Sequence, residues 1–211
     1  SAEAATASDG GDNRYFTRLS EWNLDGNVFS TDFTVPFAWA NRQVLFHLGW
    51  ASGDYELRVN GRPAACNADG NTPAEFNLTK LTKEGRNSLE IVVAQPSPTA
   101  PLESWKEAPR PAIGGAWVMS QPTLHIRDVI TRTRLAEDGS ATAEVAVVLK
   151  SDALNPRTSR IHYELLDPTG ERAAAGHKDF TLDMRREDTL RFLTRIPLNM
   201  LWCAELPTQY T

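Results

Sequence analysis

The segment Tyr55-Glu56-Leu57-Arg58-Val59-Asn60-Gly61 constrains this chain more than any other stretch. Apolar and charged residues alternate over five positions, and a period of two places Tyr55, Leu57 and Val59 on one face of a strand. Asn-Gly comes immediately after. Both residues tolerate the positive φ of a type I′ turn, whose twist matches that of the strands it joins, so the pair predicts a β-hairpin. A hairpin with one apolar face must bury that face against a second layer.

The same period recurs along the chain, and helical periodicity is nearly absent. Phe29, Thr31, Phe33 and Val35 share a face, and Pro36 ends their run. Val44-Leu45-Phe46-His47-Leu48 is apolar on both faces, which predicts a central strand covered on both sides. Leu89-Glu90-Ile91-Val92-Val93 alternates again. Strands recurring about every ten residues, with Gly, Pro and Asn between them, predict a β-sandwich.

Residues 95–121 break the pattern. Pro96, Pro98, Pro101, Pro109 and Pro111 fall there, with Gly114-Gly115 near the end and Pro122 just beyond. The segment reads as irregular, and a loop of that length in a compact domain is usually functional. It carries Trp105 and Trp117. A second block starts at Leu124, with Ala143, Val145, Val147 and Leu149 on one face, then Ile161, Tyr163 and Leu165, then Leu190, Phe192, Thr194 and Ile196. Glu137-Asp138-Gly139-Ser140 and Asp167-Pro168-Thr169-Gly170 supply turns. The predicted organisation is a flexible terminus over 1–13, a first sandwich over 14–121, and a second, immunoglobulin-like sandwich over 122–211. The second has about five strands where that fold uses about seven, so it reads as incomplete.

Composition narrows the function classes. The chain is 41% hydrophobic and 23% charged, as ordinary globular proteins are, and its net charge of −5 disfavours nucleic acid or an anionic membrane as partner. No apolar run approaches the roughly 18 residues that span a bilayer. Cys66 and Cys203 lie in different blocks, where buried or idle thiols are the expectation and a bridge between blocks the alternative. No zinc spacing, calcium loop, phosphate-binding loop or serine nucleophile motif is present, so neither a metal nor a cofactor is expected. His162 and Glu164 share a strand face, which reads as solvated. Asn77-Leu78-Thr79 fits a glycosylation sequon, but a turn capped by the Asn side chain is the stronger reading.

Five of the six tryptophans precede residue 118. Sugars pack their C–H faces on indole rings while their hydroxyls seek carboxylates and amides, so Trp beside Glu, Asp or Asn suits a carbohydrate site. Core packing is the competing role. Trp39 and Trp50, flanked by strands, are expected in the core. Trp105 and Trp117, in the Pro/Gly-rich segment, fit either role. Trp202 is expected to fill the second block's core or its junction with a neighbouring domain.

Several pieces, in this order and spacing, resemble the sugar-binding jelly-roll domain that opens β-galactosidases of glycoside hydrolase family two, together with the immunoglobulin-like domain after it. They are Phe33-Thr34-Val35-Pro36 with Trp39, Val44-Leu45-Phe46 with Gly49-Trp50, and the Tyr55 to Gly61 hairpin. Next come Thr72-Pro73-Ala74-Glu75-Phe76-Asn77-Leu78-Thr79, Gly85-Arg86-Asn87, Leu124-His125-Ile126-Arg127-Asp128-Val129 and the closing stretch from Leu201 to Thr211.

The resemblance implies an accessory role. The family's two catalytic glutamates sit in a barrel C-terminal to these domains, and glycosidase chemistry needs both flanking one bond, so no catalytic residue is expected here and the isolated chain is expected to be inactive. The family's Leu-Glu-x-x-Asp-x-Trp run, whose acid reaches the sugar, corresponds to Leu102-Glu103-Ser104-Trp105-Lys106-Glu107. Its central Asp is missing, and Ala116-Trp117 replaces an aliphatic and a basic position. Either Glu103 or Glu107 takes the role, or the contact has changed; the implied substrate-binding set is Glu103, Trp105, Glu107 and Trp117. The implied partners are a galactoside-like carbohydrate, the catalytic barrel and a second copy of the chain, in an exported, periplasmic or extracellular, setting. A free-standing carbohydrate-binding module and a structural or assembly module without ligand are the alternatives.

Overall fold

A computed structural model describes residues 14–94, 110–196, 200–205 and 207–211, which fall into two compact units dividing after Pro122. All regular structure among them is β, apart from single 3₁₀ turns such as Phe37–Trp39.

The first unit contains, in chain order, β1 (Phe16–Arg18), β2 (Asn23–Asp25), β3 (Val28–Val35), β4 (Arg42–Ala51), β5 (Tyr55–Val59), β6 (Arg62–Asn67), β7 (Ala74–Asn77), β8 (Gly85–Val93) and β9 (Ile113–Pro122). They form two antiparallel sheets, ordered β1-β9-β4-β7 and β2-β3-β8-β5-β6. The alternation seen in the sequence is the alternation of burial: Tyr55, Leu57 and Val59 are buried while Glu56 and Arg58 are not. Phe46, Leu48 and Val118 from one sheet and Leu57, Val59, Leu89 and Ile91 from the other are wholly inaccessible and form the core between the layers. Each such side chain contributes about 1.5–3 kcal/mol by leaving water.

Asn60 and Gly61 join β5 to β6 with φ of 51° and 72°, the type I′ geometry. The Asn60 side chain does more than turn the chain. Its Nδ2 donates to the Leu81 carbonyl and to Asn87 Oδ1, both at 2.9 Å, and its Oδ1 accepts from the Ser88 N–H at 3.0 Å. Asn87, only 1% exposed, donates to the Lys83 and Gly85 carbonyls and accepts from the Lys83 N–H. The Asn77 side chain caps its turn as expected, accepting from the Thr79 N–H and hydroxyl at 3.1 and 2.6 Å.

Strand β9 corrects one expectation. Its residues fall in the stretch whose prolines and glycines predict irregular structure, yet they form a strand hydrogen-bonded to both β1 and β4. Ala116 and Val118 alternate into the core, a pattern hidden in the sequence by the two glycines before it.

The second unit contains β10 (Leu124–Leu135), β11 (Ala141–Ser151), β12 (Arg157–Leu166), β13 (Arg172–Leu182) and β14 (Glu187–Ile196), the five strands expected. Sheet β10-β11-β14 and the ribbon β12-β13 enclose a smaller core of Val147, Leu149, Leu182 and Phe192, with Ile161, Tyr163, Phe180 and Leu190 packed on it. Trp202 is not part of this core: it is 63% exposed, as the strands already supply the apolar filling. Cys66 and Cys203 are both exposed, which corrects the expectation of burial.

Candidate functional site

Strand register places one residue from each of four strands in a single row across the first sheet. Arg18 on β1 pairs with Trp117 on β9, Trp117 with His47 on β4, and His47 with Glu75 on β7. Paired residues share a face, and since Phe46, Leu48 and Val118 point into the core, this row lies on the outer face. The row of Phe16, Met119, Leu45 and Asn77, two positions along, is built the same way.

The middle of the first row is aromatic. The His47 and Trp117 rings are stacked, with centroids 3.7 Å apart and planes 7° from parallel. Phe16 leans on Trp117 at 5.9 Å and 36°. Burial pushes the His47 imidazole below its ordinary range, and the charge of Glu75 opposes that shift. His47 is therefore neutral at pH 7, which suits an imidazole lying on an indole face.

Further along β4, Trp50 pairs with Gly114 and is 46% exposed. This corrects its expected core position, and the cause is a change of phase. Pairing runs from Leu48–Ala116 to Trp50–Gly114 in the same register, with Gly49 and Gly115 facing each other between them. After the interruption Ala51, at 1% exposure, takes the inward position that simple alternation assigns to Trp50. Only glycine permits this arrangement. A Cβ at Gly49 would stand 3.0 Å from the Gly114 carbonyl oxygen, Gly115 has φ of +67°, and a Cβ at Gly114 would stand 2.4 Å from Trp50 Nε1. The indole lies directly over the Gly114 backbone.

Beside these glycines a cavity of about 340 Å³ opens between β1 and the start of β9, lined by Arg18, Ser20, Trp22, Ile113, Gly114 and Gly115. Trp22 is fixed there by its indole N–H, which donates to the Leu19 carbonyl at 3.2 Å. Apolar rings, an exposed guanidinium at one end of the row and an exposed carboxylate at the other form a surface suited to a polyhydroxylated ligand. The row brings in Glu75 as its single carboxylate and offers no acid–base pair.

Of the predicted sugar contacts, Trp117 stands on a strand, with ring neighbours His47 and Phe16. Glu103, Trp105 and Glu107 lie outside the described residues. Trp39 is in the core as expected, at 3% exposure, its indole N–H donating to the Arg14 carbonyl at 2.6 Å. Sequence reasoning missed the exposed position of Trp50; its signal was the pair of facing glycines, which reads equally well as a loop. Among the described residues no group of three or more His, Cys, Asp or Glu side chains is arranged around a metal position, and no helix is long and apolar enough to cross a membrane.

Comparison with known proteins agrees with this architecture. The fold is that of the β-sandwich domains of family 2 glycosidases. A Bacteroides uniformis β-glucuronidase superposes with a TM-score of 0.69 at 20% identity, over 87% of this chain and 23% of that one. A glycosyl hydrolase family 2 member from Bacteroides cellulosilyticus superposes with a TM-score of 0.67 at 16% identity, over 87% and 25%. In sequence the chain is homologous to β-galactosidases. It is 29% identical to that of Yersinia pestis bv. Antiqua (strain Angola) over 92% of its own length, and equally so to that of Yersinia pseudotuberculosis serotype O:3 (strain YPIII). No family model matches it. The chain spans about a fifth of the length of these relatives, so the likeness read from the sequence holds for their non-catalytic sandwich portion.

Proposed function

We propose that this chain serves as the accessory, sugar-pocket-shaping part of a β-galactosidase-like glycoside hydrolase. The observation that carries the reading is similarity to β-galactosidases along 92% of the chain, joined to a two-sandwich fold. The segment holding Glu103, Trp105 and Glu107 precedes β9, which carries Gly114 and Trp117 and pairs with Trp50 of β4. Strands of a packed sandwich position contacts to substrate well. Glu103 or Glu107 accepts hydrogen bonds from sugar hydroxyls, and Trp105 offers a ring to the sugar's C–H face. The proton donor and nucleophile belong to a catalytic barrel outside this sequence.

Two assays test this. The isolated chain releases no nitrophenol from nitrophenyl-β-galactoside. In a polypeptide joining this chain to its barrel, Glu103→Gln, Glu107→Gln and Trp105→Ala together raise KM for that substrate. Sustained, chain-dependent release in the first assay, or unchanged KM and kcat in the second, overturns the proposal. The exposure of Trp50 favours one second reading, a free-standing glycan-binding module; calorimetric heats with galactans, lost in Trp50→Ala, distinguish it.

A further inference from the structure

We propose that His162 and His177 form a two-imidazole site for a late divalent transition metal, of the zinc, nickel or copper class, which clamps the β12-β13 ribbon. The two residues are direct register partners on neighbouring strands, although fourteen residues separate them in the chain. Both are exposed, their ring centroids are 5.6 Å apart, and the planes are tilted by 35°. A metal about 2.0–2.1 Å from one nitrogen of each ring lies about 3.2 Å from each ring centroid. At that reach a 5.6 Å separation subtends about 120° at the metal, close to the trigonal angle and within reach of the tetrahedral one. The paired backbones hold the two histidines at that spacing, so a chelating metal needs no rearrangement of the strands.

The neighbours on the same face suit a cation without competing for the rings. Two positions along, Asp179 is held by its register partner Arg160 through contacts of 2.5 and 2.9 Å. On the other side Glu164 accepts from Arg172 at 3.2 Å, and its own register partner is the small Ala175, which leaves the approach to the imidazoles open. Asp179, its carboxyl held down chiefly by its hydrogen bond to Arg160, places a negative charge beside the two imidazoles, which favours a nearby cation. Two protein ligands leave the remaining positions to water, as in an open site. Imidazole nitrogen selects against calcium and magnesium, which prefer oxygen.

Such a clamp has a structural use. The ribbon is a two-stranded sheet, and two strands alone are marginally stable. A metal that binds only when His162 and His177 face each other stabilises the folded unit by mass action.

The test is a titration of the chain with Ni²⁺ and Zn²⁺ by calorimetry, in a Cys66→Ser, Cys203→Ser background because exposed thiols also ligate these ions. One equivalent is expected to bind, with broadened or shifted imidazole resonances at His162 and His177 and a raised unfolding midpoint for the second unit. Partners of a ligand alone are worth roughly 10- to 100-fold in affinity, so His162→Ala or His177→Ala lowers it by at least that much. The variant His47→Asn retains full affinity, and Mg²⁺ gives no effect. Affinity that survives both His162→Ala and His177→Ala, or resonances perturbed elsewhere only, overturns the proposal, as does the absence of any binding to the unsubstituted ribbon.

Discussion

The imidazole of His47 lies 3.7 Å from the indole of Trp117, ring on ring, across the β4-β9 pairing. Stacking at that distance couples the protonation state of one residue to the light emission of the other. It also joins the middle of an outer face whose ends are Arg18 and Glu75.

The first prediction concerns pH. Burial lowers the folded pKa of His47 beneath its ordinary 6.5, against the opposing charge of Glu75. Between the lowered folded value and 6.5 the unfolded chain binds more proton, so stability rises with pH through that window and is lost as pH falls through it. Urea midpoints measured from pH 5 to 8 are expected to fall on the acid side in the unsubstituted chain and to flatten in His47→Asn. Glu75→Gln removes the opposing charge and moves the His47 titration, followed by its imidazole resonances, to lower pH. A shift to higher pH contradicts the assigned roles.

The second prediction concerns the Asn60–Asn87 pair, linked at 2.9 Å. Replacing Asn87 with Ala leaves the Lys83 and Gly85 backbone groups and the Asn60 amide without their partner, at a cost of about 2–4 kcal/mol. Asn60→Ala also loses bonds at a positive φ. The double substitution is expected to cost less than the sum, since both singles break the shared contact. Denaturant unfolding with an unchanged m-value measures this; strict additivity tells against a single network.

Much of this unit was legible because its information is local. The Tyr55 to Gly61 hairpin announces its faces and its turn within seven residues, and the doubly apolar Val44 to Leu48 run announces a strand between neighbours, as β4 is between β9 and β7. The Arg18, Trp117, His47, Glu75 row was not legible, since four strands distant in sequence make it through register alone. The outward position of Trp50 was hidden for a related reason: counting by twos from Leu48 fails past the facing pair Gly49 and Gly115, after which Ala51 takes the inward place. The facing of His162 and His177 likewise needed the β12-β13 register, where the chain alone suggested only a neighbouring glutamate.

The third prediction separates two kinds of glycine. A Cβ at Gly70 would stand 2.2 Å from the Gly53 carbonyl oxygen and 2.7 Å from that of Ala51, whose N–H bonds to the Gly70 carbonyl. Both obstacles are backbone and cannot rotate away, so Gly70→Ala is expected to cost several kcal/mol, on the order of 3. Gly26 has φ of +59° with nothing within 4 Å of its Cβ position, so Gly26→Ala costs only the left-handed strain, about 1–2 kcal/mol. Thermal unfolding of the two variants is expected to rank them in that order, and the reverse order contradicts the packing around Gly70.

The fourth prediction weighs two tryptophans of the first sandwich. Trp39 is 3% exposed and donates to the Arg14 carbonyl, so Trp39→Ala removes a filled core volume and is expected to cost about 3–5 kcal/mol. Trp50 is 46% exposed and rests on Gly114 with no Cβ beneath it, so Trp50→Ala opens no enclosed cavity and is expected to cost about 1 kcal/mol or less. If the two variants prove equally destabilising by urea titration, Trp50 is a packing residue. If Trp50→Ala is stable, its effect on galactoside KM in a polypeptide carrying the barrel reports the contact directly, free of any change in the amount folded.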